Sequence, residues 1–121
     1  MAINKILIVD DSATDLTVLQ EALAATHCMV ITARSGAEAV TKAKSERPDL
    51  IFMDIVMENM NGYDACREIK ADPVTSHIPV VFVSSKNQKA DHIWARRQGG
   101  DALIGKPYNA QQIIEQVSKL A

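Results

Sequence analysis

The sequence is poor in the residues that announce disulfide, metal or membrane chemistry. Its two cysteines, Cys28 and Cys66, have no CxxC and no Cys/His spacing around them. A disulfide scaffold or structural zinc site needs more, so both are read as reduced thiols of a cytosolic protein. The histidines His27, His77 and His92 never fall four residues apart on one helix, which argues against a histidine metal site. No run of about 18 apolar residues exists to cross a bilayer. The apolar stretch near the N-terminus, Ile6 to Val9, is too short for a secretion signal. Neither sign of charge dominates, since 13 Lys and Arg stand against 15 Asp and Glu, a net charge of −2. That balance provides no basic footprint for nucleic acid or anionic membrane.

What remains is ordinary globular composition, 47% hydrophobic and 23% charged, which sets disordered and fibrous classes aside. A chain of 121 residues fits one domain, 1–121, with no attached output module expected. Short apolar runs alternate with helical patterns. Ile6-Leu7-Ile8-Val9 ends in Asp10-Asp11, Leu50-Ile51-Phe52-Met53 ends in Asp54, and Val80-Val81-Phe82-Val83 ends in Ser84-Ser85. Runs without polar alternation suit strands buried on both faces, as in parallel sheets. Two weaker strand signals are Cys28 to Ala33, and Ala102-Leu103-Ile104 before Gly105-Lys106-Pro107.

Helix signals lie between the strands. Ser12 is a candidate N-cap for a helix carrying Leu16, Leu19 and Leu23, and Ser35 with Glu38 forms a capping-box pattern. Asn61 can cap a third helix, with Cys66 and Ile69 inward and Pro73 beyond its end. A fourth is expected over Gln88–Gln98, stopped by Gly99-Gly100, and a fifth over Asn109–Leu120 with Ile113, Ile114 and Val117 as its stripe. The order βαβαβαβαβα predicts an α/β, flavodoxin-like doubly wound sheet of five parallel strands, order 2-1-3-4-5.

In such sheets sites form beyond the carboxyl ends of the strands. Asp10, Asp11, Asp54, Ser84 and Lys106 all fall there. Close carboxylates repel unless a cation joins them, and an oxygen-only donor set without His or Cys points to Mg²⁺. A metal, a lysine and a hydroxyl around a carboxylate suit phosphoryl chemistry, with a carboxylate as nucleophile forming an aspartyl phosphate.

The set IVDDS, IFMDIVM, VFVSSK and GKPY resembles the receiver domain of two-component response regulators, the CheY-like family, with the motifs in order from Lys5 to Leu120. The resemblance implies that Asp54 is the phospho-acceptor. It implies that Asp11, Asp54 and the backbone carbonyl of Val56 hold Mg²⁺, with Asp10 acting mainly through a coordinated water. Ser84 would take the switch hydroxyl position in preference to Ser85. Lys106 would pair with the phosphoryl group, and the Lys106-Pro107 bond is expected to be cis. The family's partners are a histidine kinase as phosphodonor and a downstream protein bound through the fourth helix, fifth strand and fifth helix. The protein would be a cytoplasmic monomer, without membrane insertion or nucleic-acid binding, catalysing only its own phosphorylation and dephosphorylation. It would either switch a partner or serve as a phosphate sink.

Three positions depart from the family pattern. Leu103 stands where an aromatic switch residue is common, which puts coupling through a turning ring in doubt. Glu58 replaces a usual proline, implying a freer loop, and apolar Val56 implies slow to moderate self-dephosphorylation. Met53, Met57, Met60 and Tyr108 are read as packing. The segments DIVMENMNGYDACREIK and SSKNQKADHIWARRQG resemble single-domain regulators of type IV pilus, twitching-motility chemosensory systems, and Arg96-Arg97 belongs to that resemblance. Two alternatives are weaker. A Mg²⁺-dependent phosphatase with an aspartyl-phosphate intermediate would carry DxD after its first strand. A flavin-binding module would carry a Ser/Thr/Gly-rich loop where this chain has DDSATD.

Overall fold

Five short strands alternate with helices along residues 2–121, the part of the chain that the computed structural model describes. The strands are β1 (Lys5–Val9), β2 (Met29–Ala33), β3 (Leu50–Asp54), β4 (Val80–Ser84) and β5 (Ala102–Gly105). The helices are α1 (Ala13–Leu23), α2 (Gly36–Glu46), α3 (Gly62–Ala71), α4 (Lys89–Arg97) and α5 (Ala110–Leu120), with a 3₁₀ turn, Ala24–Thr26, after α1. All strand pairs are parallel, in the order β2-β1-β3-β4-β5. This is the doubly wound, flavodoxin-like sheet that the alternation of elements predicts.

Successive strand side chains point to opposite faces of the sheet. Leu7, Val9, Ile51, Met53, Val80 and Phe82 form one core with Ala39 and Ala43 of α2, Ala65, Cys66 and Ile69 of α3, and Ala95 of α4. Ile6, Ile8, Leu50, Phe52, Val81 and Val83 form the other with Leu16, Leu19 and Leu23 of α1 and Ile113 of α5. Burial on both faces explains why β3 and β4 are apolar without alternation, every residue of each being buried. The edge strand β2 carries the weaker signal because its outer rim meets solvent, with Met29 60% exposed.

Side chains set most helix starts as expected. The oxygens of Ser12, Ser35 and Asn61 accept hydrogen bonds from the backbone N–H groups of Asp15, Glu38 and Asp64 at 3.2, 3.1 and 2.9 Å. The expected reciprocal bond at α2 is different. The Glu38 carboxylate reaches past the cap to the N–H of Arg34 at 2.8 Å, while its other oxygen meets Lys42 at 2.9 Å. A reciprocal capping box closes instead at α5, between Asn109 and Gln112. Helix α4 stops where Gly99 takes φ +96° and the Gly100 N–H donates to the Ala95 carbonyl at 3.0 Å. Because the strands run parallel, their C-terminal ends share one edge. Val9 pairs with Met53, Asp54 with Val83, and Ser84 with Gly105.

Candidate functional site

Asp10 continues the line of β1, its N–H donating to the Ala33 carbonyl at 3.1 Å, and Asp54 closes β3. Both are buried, whereas Asp11 is exposed at the rim. One oxygen from each of Asp10, Asp11 and Asp54 lies within 4.8 Å of the others. Local bonds orient the two buried carboxylates. Asp10 accepts from the Ser12 N–H at 3.0 Å, and Asp54 from the Ile55 N–H at 2.9 Å. The Arg34 guanidinium donates to the Asp11 carbonyl at 3.0 Å, tying the turn after β1 to the end of β2.

Lys106 enters from the far side of the sheet. Its backbone N–H donates to the Ser84 carbonyl at 2.9 Å, and the Lys106-Pro107 bond is cis, as expected. The ammonium lies 2.9 Å from Asp10, 2.9 Å from Asp15 and 3.7 Å from Asp54. Ser84 is fully buried, and its Oγ accepts the Lys86 N–H at 3.0 Å, while Ser85 is exposed. The structure therefore gathers Asp10, Asp11, Asp54, Ser84 and Lys106 at one edge.

Asp15 is the residue that sequence reasoning missed. An acid in the first turn of a helix reads as a complement to the helix dipole. Its pairing with Lys106 spans 91 positions, and only the packing of α1 beside the end of β5 brings the two together.

The charges are unevenly matched. Burial, followed by the charge of Asp10, pushes the Asp54 carboxyl up to about 6 against the opposing pull of Lys106. The lysine acts on Asp54 from 3.7 Å because its short contacts go elsewhere. Burial works against the Lys106 charge too. Hydrogen bonds to Asp10 and Asp15, together with the charge of Asp54, nonetheless raise it above the ordinary lysine range. Three clustered carboxylates with an all-oxygen donor set fit a hard divalent cation such as Mg²⁺.

Met53 and Met57 are buried in the core on the α2–α4 side with Met60 packed against it, and Tyr108 packs partly buried against the α1/α5 core. Leu103 is itself buried in the same core as Phe82 and Ala95, so no ring stands ready to turn inward at that position. Val56 is 61% exposed and borders a cavity of about 680 Å³ with Tyr63, Lys86 and Trp94. Tyr63 meets Phe82 and Trp94 edge-on, with ring centroids 5.1 and 6.5 Å apart. Gly62 lets α3 start against the end of β3, its N–H donating to the Ile55 carbonyl at 2.8 Å.

Residues 6–118 match the family described as the response regulator receiver domain. Protein PilH of Pseudomonas aeruginosa is 38% identical over 114 residues, covering 94% of this chain and 94% of that protein. Protein PilG of the same organism is 33% identical over 110 residues, 91% of this chain and 82% of PilG. The receiver domain of a Pseudomonas aeruginosa sensor histidine kinase, solved with a magnesium ion coordinated in its active-site cleft, superposes with a TM-score of 0.89 at 25% identity over 98% of each chain. Chemotaxis protein CheY4 of Vibrio cholerae shares the fold, with a TM-score of 0.90 at 23% identity over 99% of this chain and all of that one.

Proposed function

We propose that this chain, which belongs to the response regulator receiver domain family, accepts a phosphoryl group from a histidine kinase on Asp54 and thereby changes what it binds. The observation that carries this reading is the grouping of Asp10, Asp11 and Asp54 opposite Lys106 at the carboxyl edge of the sheet. Asp54 is the buried carboxylate that Lys106 engages least closely, which leaves an oxygen available as nucleophile. Asp11, Asp54 and the Val56 carbonyl would hold Mg²⁺, with Asp10 acting mainly through a water. When bound, the ion supplies positive charge beside the transferring group. Lys106 neutralises charge on the phosphoryl oxygens, and Ser84 donates its hydroxyl to one of them. Binding shifts because phosphorylation adds charge and acceptors that favour one of two conformations.

In this reading, residues 1–121 act as one receiver domain whose chemistry is confined to its own phosphorylation and dephosphorylation. Helix α4, β5 and α5 face the downstream protein, and the chain works as a cytoplasmic monomer. A chemosensory pathway of the type IV pilus kind is supported by the similarity to PilH and PilG. In such a pathway the chain either switches a partner or drains phosphoryl groups from a shared kinase.

The test is intact-protein mass spectrometry after incubation with acetyl phosphate and Mg²⁺. A single phosphoryl adduct, lost on omission of Mg²⁺ and absent from Asp54→Ala, is the expected result. Folded wild-type protein that acquires no adduct would overturn the assignment.

A further inference from the structure

An ammonium has three N–H donors, and that of Lys106 has two short partners on different layers of the fold. Asp10 directly follows β1, whose last residue, Val9, pairs with Met53, the residue before Asp54. Asp15 lies in the first turn of α1, its backbone N–H anchored to Ser12 Oγ at 3.2 Å. Lys106 Nζ is 2.9 Å from each of them and 3.7 Å from Asp54. The ammonium is thus drawn away from Asp54 by a helix residue outside the strand-end cluster. A normal N–H···O hydrogen bond is about 2.9 Å, so the ammonium stands roughly 0.8 Å beyond bonding distance of the Asp54 carboxylate. Asp10 neighbours Asp54 at the strand ends, whereas Asp15 sits on α1, so the bond to Asp15 opposes the ammonium's approach to a group on Asp54.

Resting on the reading that Asp54 carries the phosphoryl group, we propose that Asp15 is a positioning residue that retains Lys106 in the unphosphorylated protein and competes with the phosphoryl group for its ammonium. Asp15 touches neither the acceptor nor a transferring group and acts only through Lys106. Its strength follows from its exposure. The Asp15 side chain is 44% exposed and that of Lys106 21%, so solvent screens the pair. Exposed pairs of this kind shift an equilibrium by about 1.5- to 5-fold, a modest bias toward the unphosphorylated form.

The experiment titrates beryllofluoride, a non-transferable phosphoryl mimic, at saturating Mg²⁺ into wild type, Asp15→Asn, Lys106→Met and the double variant. Asp15→Asn is expected to bind about 1.5- to 5-fold more tightly. In the Lys106→Met background the same replacement is expected to change nothing, because its effect runs through the lysine. An equal gain in both backgrounds would mean that Asp15 acts only as bulk negative charge, and would overturn the proposal. Unchanged or weaker binding by Asp15→Asn overturns it as well. A second readout, without Mg²⁺ or beryllofluoride, is the Lys106 side-chain NMR resonance. It is expected to move in Asp15→Asn toward its position in the beryllofluoride-bound wild type. If it stays in place, Asp15 does not retain the lysine, even where Lys106→Met binds too weakly to titrate. Wild type that binds no beryllofluoride overturns the phospho-acceptor reading, and this inference falls with it.

Discussion

Replacing Gly62 by alanine tests how the acceptor strand and α3 are joined. A Cβ at this position would stand 2.1 Å from the Asp54 carbonyl oxygen and 3.0 Å from the Ile55 Cα. Carbon–oxygen contacts settle at roughly 3.3 Å, so the start of α3 must retreat by about 1 Å. The retreat also stretches the bond from the Gly62 N–H to the Ile55 carbonyl, 2.8 Å in the native arrangement. Overpacking typically costs about 1–3 kcal/mol and a lost hydrogen bond about 0.5–1.5 kcal/mol. The helix preference of alanine over glycine returns about 0.5–1 kcal/mol. Gly62 is not in the left-handed region, so lack of space, not backbone conformation, drives the effect. The net expectation is a loss of about 0.5–4 kcal/mol in urea unfolding followed by circular dichroism, at unchanged m-value. Acetyl-phosphate labelling should slow in parallel, because the displaced residue abuts the acceptor's own carbonyl. A stability loss below about 0.5 kcal/mol, inside the range of ordinary surface substitutions, would refute the reasoning.

Other perturbations reach the core and the caps. Burial pushes the Cys66 thiol up to about 11 from an ordinary value of 9.0, and its Sγ–H donates to the Gln98 carbonyl at 3.2 Å. The folded state therefore holds this proton longer than the unfolded chain does. Stability that is present below pH 9 should fall by up to about 2–3 kcal/mol as pH rises toward 11. A Cys66→Ala variant should lack that component, and parallel pH–stability curves for variant and wild type would contradict it. Under native conditions near pH 8, iodoacetamide should label half-buried Cys28 well before Cys66; equal labelling rates would count against the burial argument. Ser12→Ala removes the bond to the Asp15 N–H and should cost about 0.5–2 kcal/mol in urea unfolding. Phe52, fully buried at the centre of the α1/α5 core, should cost about 3–5 kcal/mol on truncation to alanine, read as a lower urea midpoint.

The element order and the site edge were legible before folding because both follow from short-range chemistry. A parallel strand covered on both faces must be apolar throughout, so Leu50 to Met53 and Val80 to Val83 stand out as unbroken runs. Polar residues following such runs fall at the edge where the runs end. Asp10, Asp54 and Ser84 could therefore be placed together from sequence, and the resemblance in their motifs agreed. The caps at Ser12, Ser35 and Asn61 were equally local, each depending on a backbone N–H three residues on. The Glu38 carboxylate escaped this logic because a flexible side chain had a choice of donors. The extended backbone at Ser35 lets it reach the N–H of Arg34 while meeting Lys42.

The alternation of strand and helix, the acids at the strand ends and the all-oxygen donor set are all written locally along the chain. Folding alone allots the Lys106 ammonium among more carboxylates than it can equally serve. Lys106 binds Asp10 and Asp15 closely and leaves Asp54 the farthest of the three. That allocation depends on where α1 lies over the ends of β1 and β5, and so on how Leu16, Leu19 and Leu23 pack into the core that also holds Ile113 of α5. Motifs state which groups meet. Distances of a fraction of an ångström, fixed by packing many residues away, decide which of them pair.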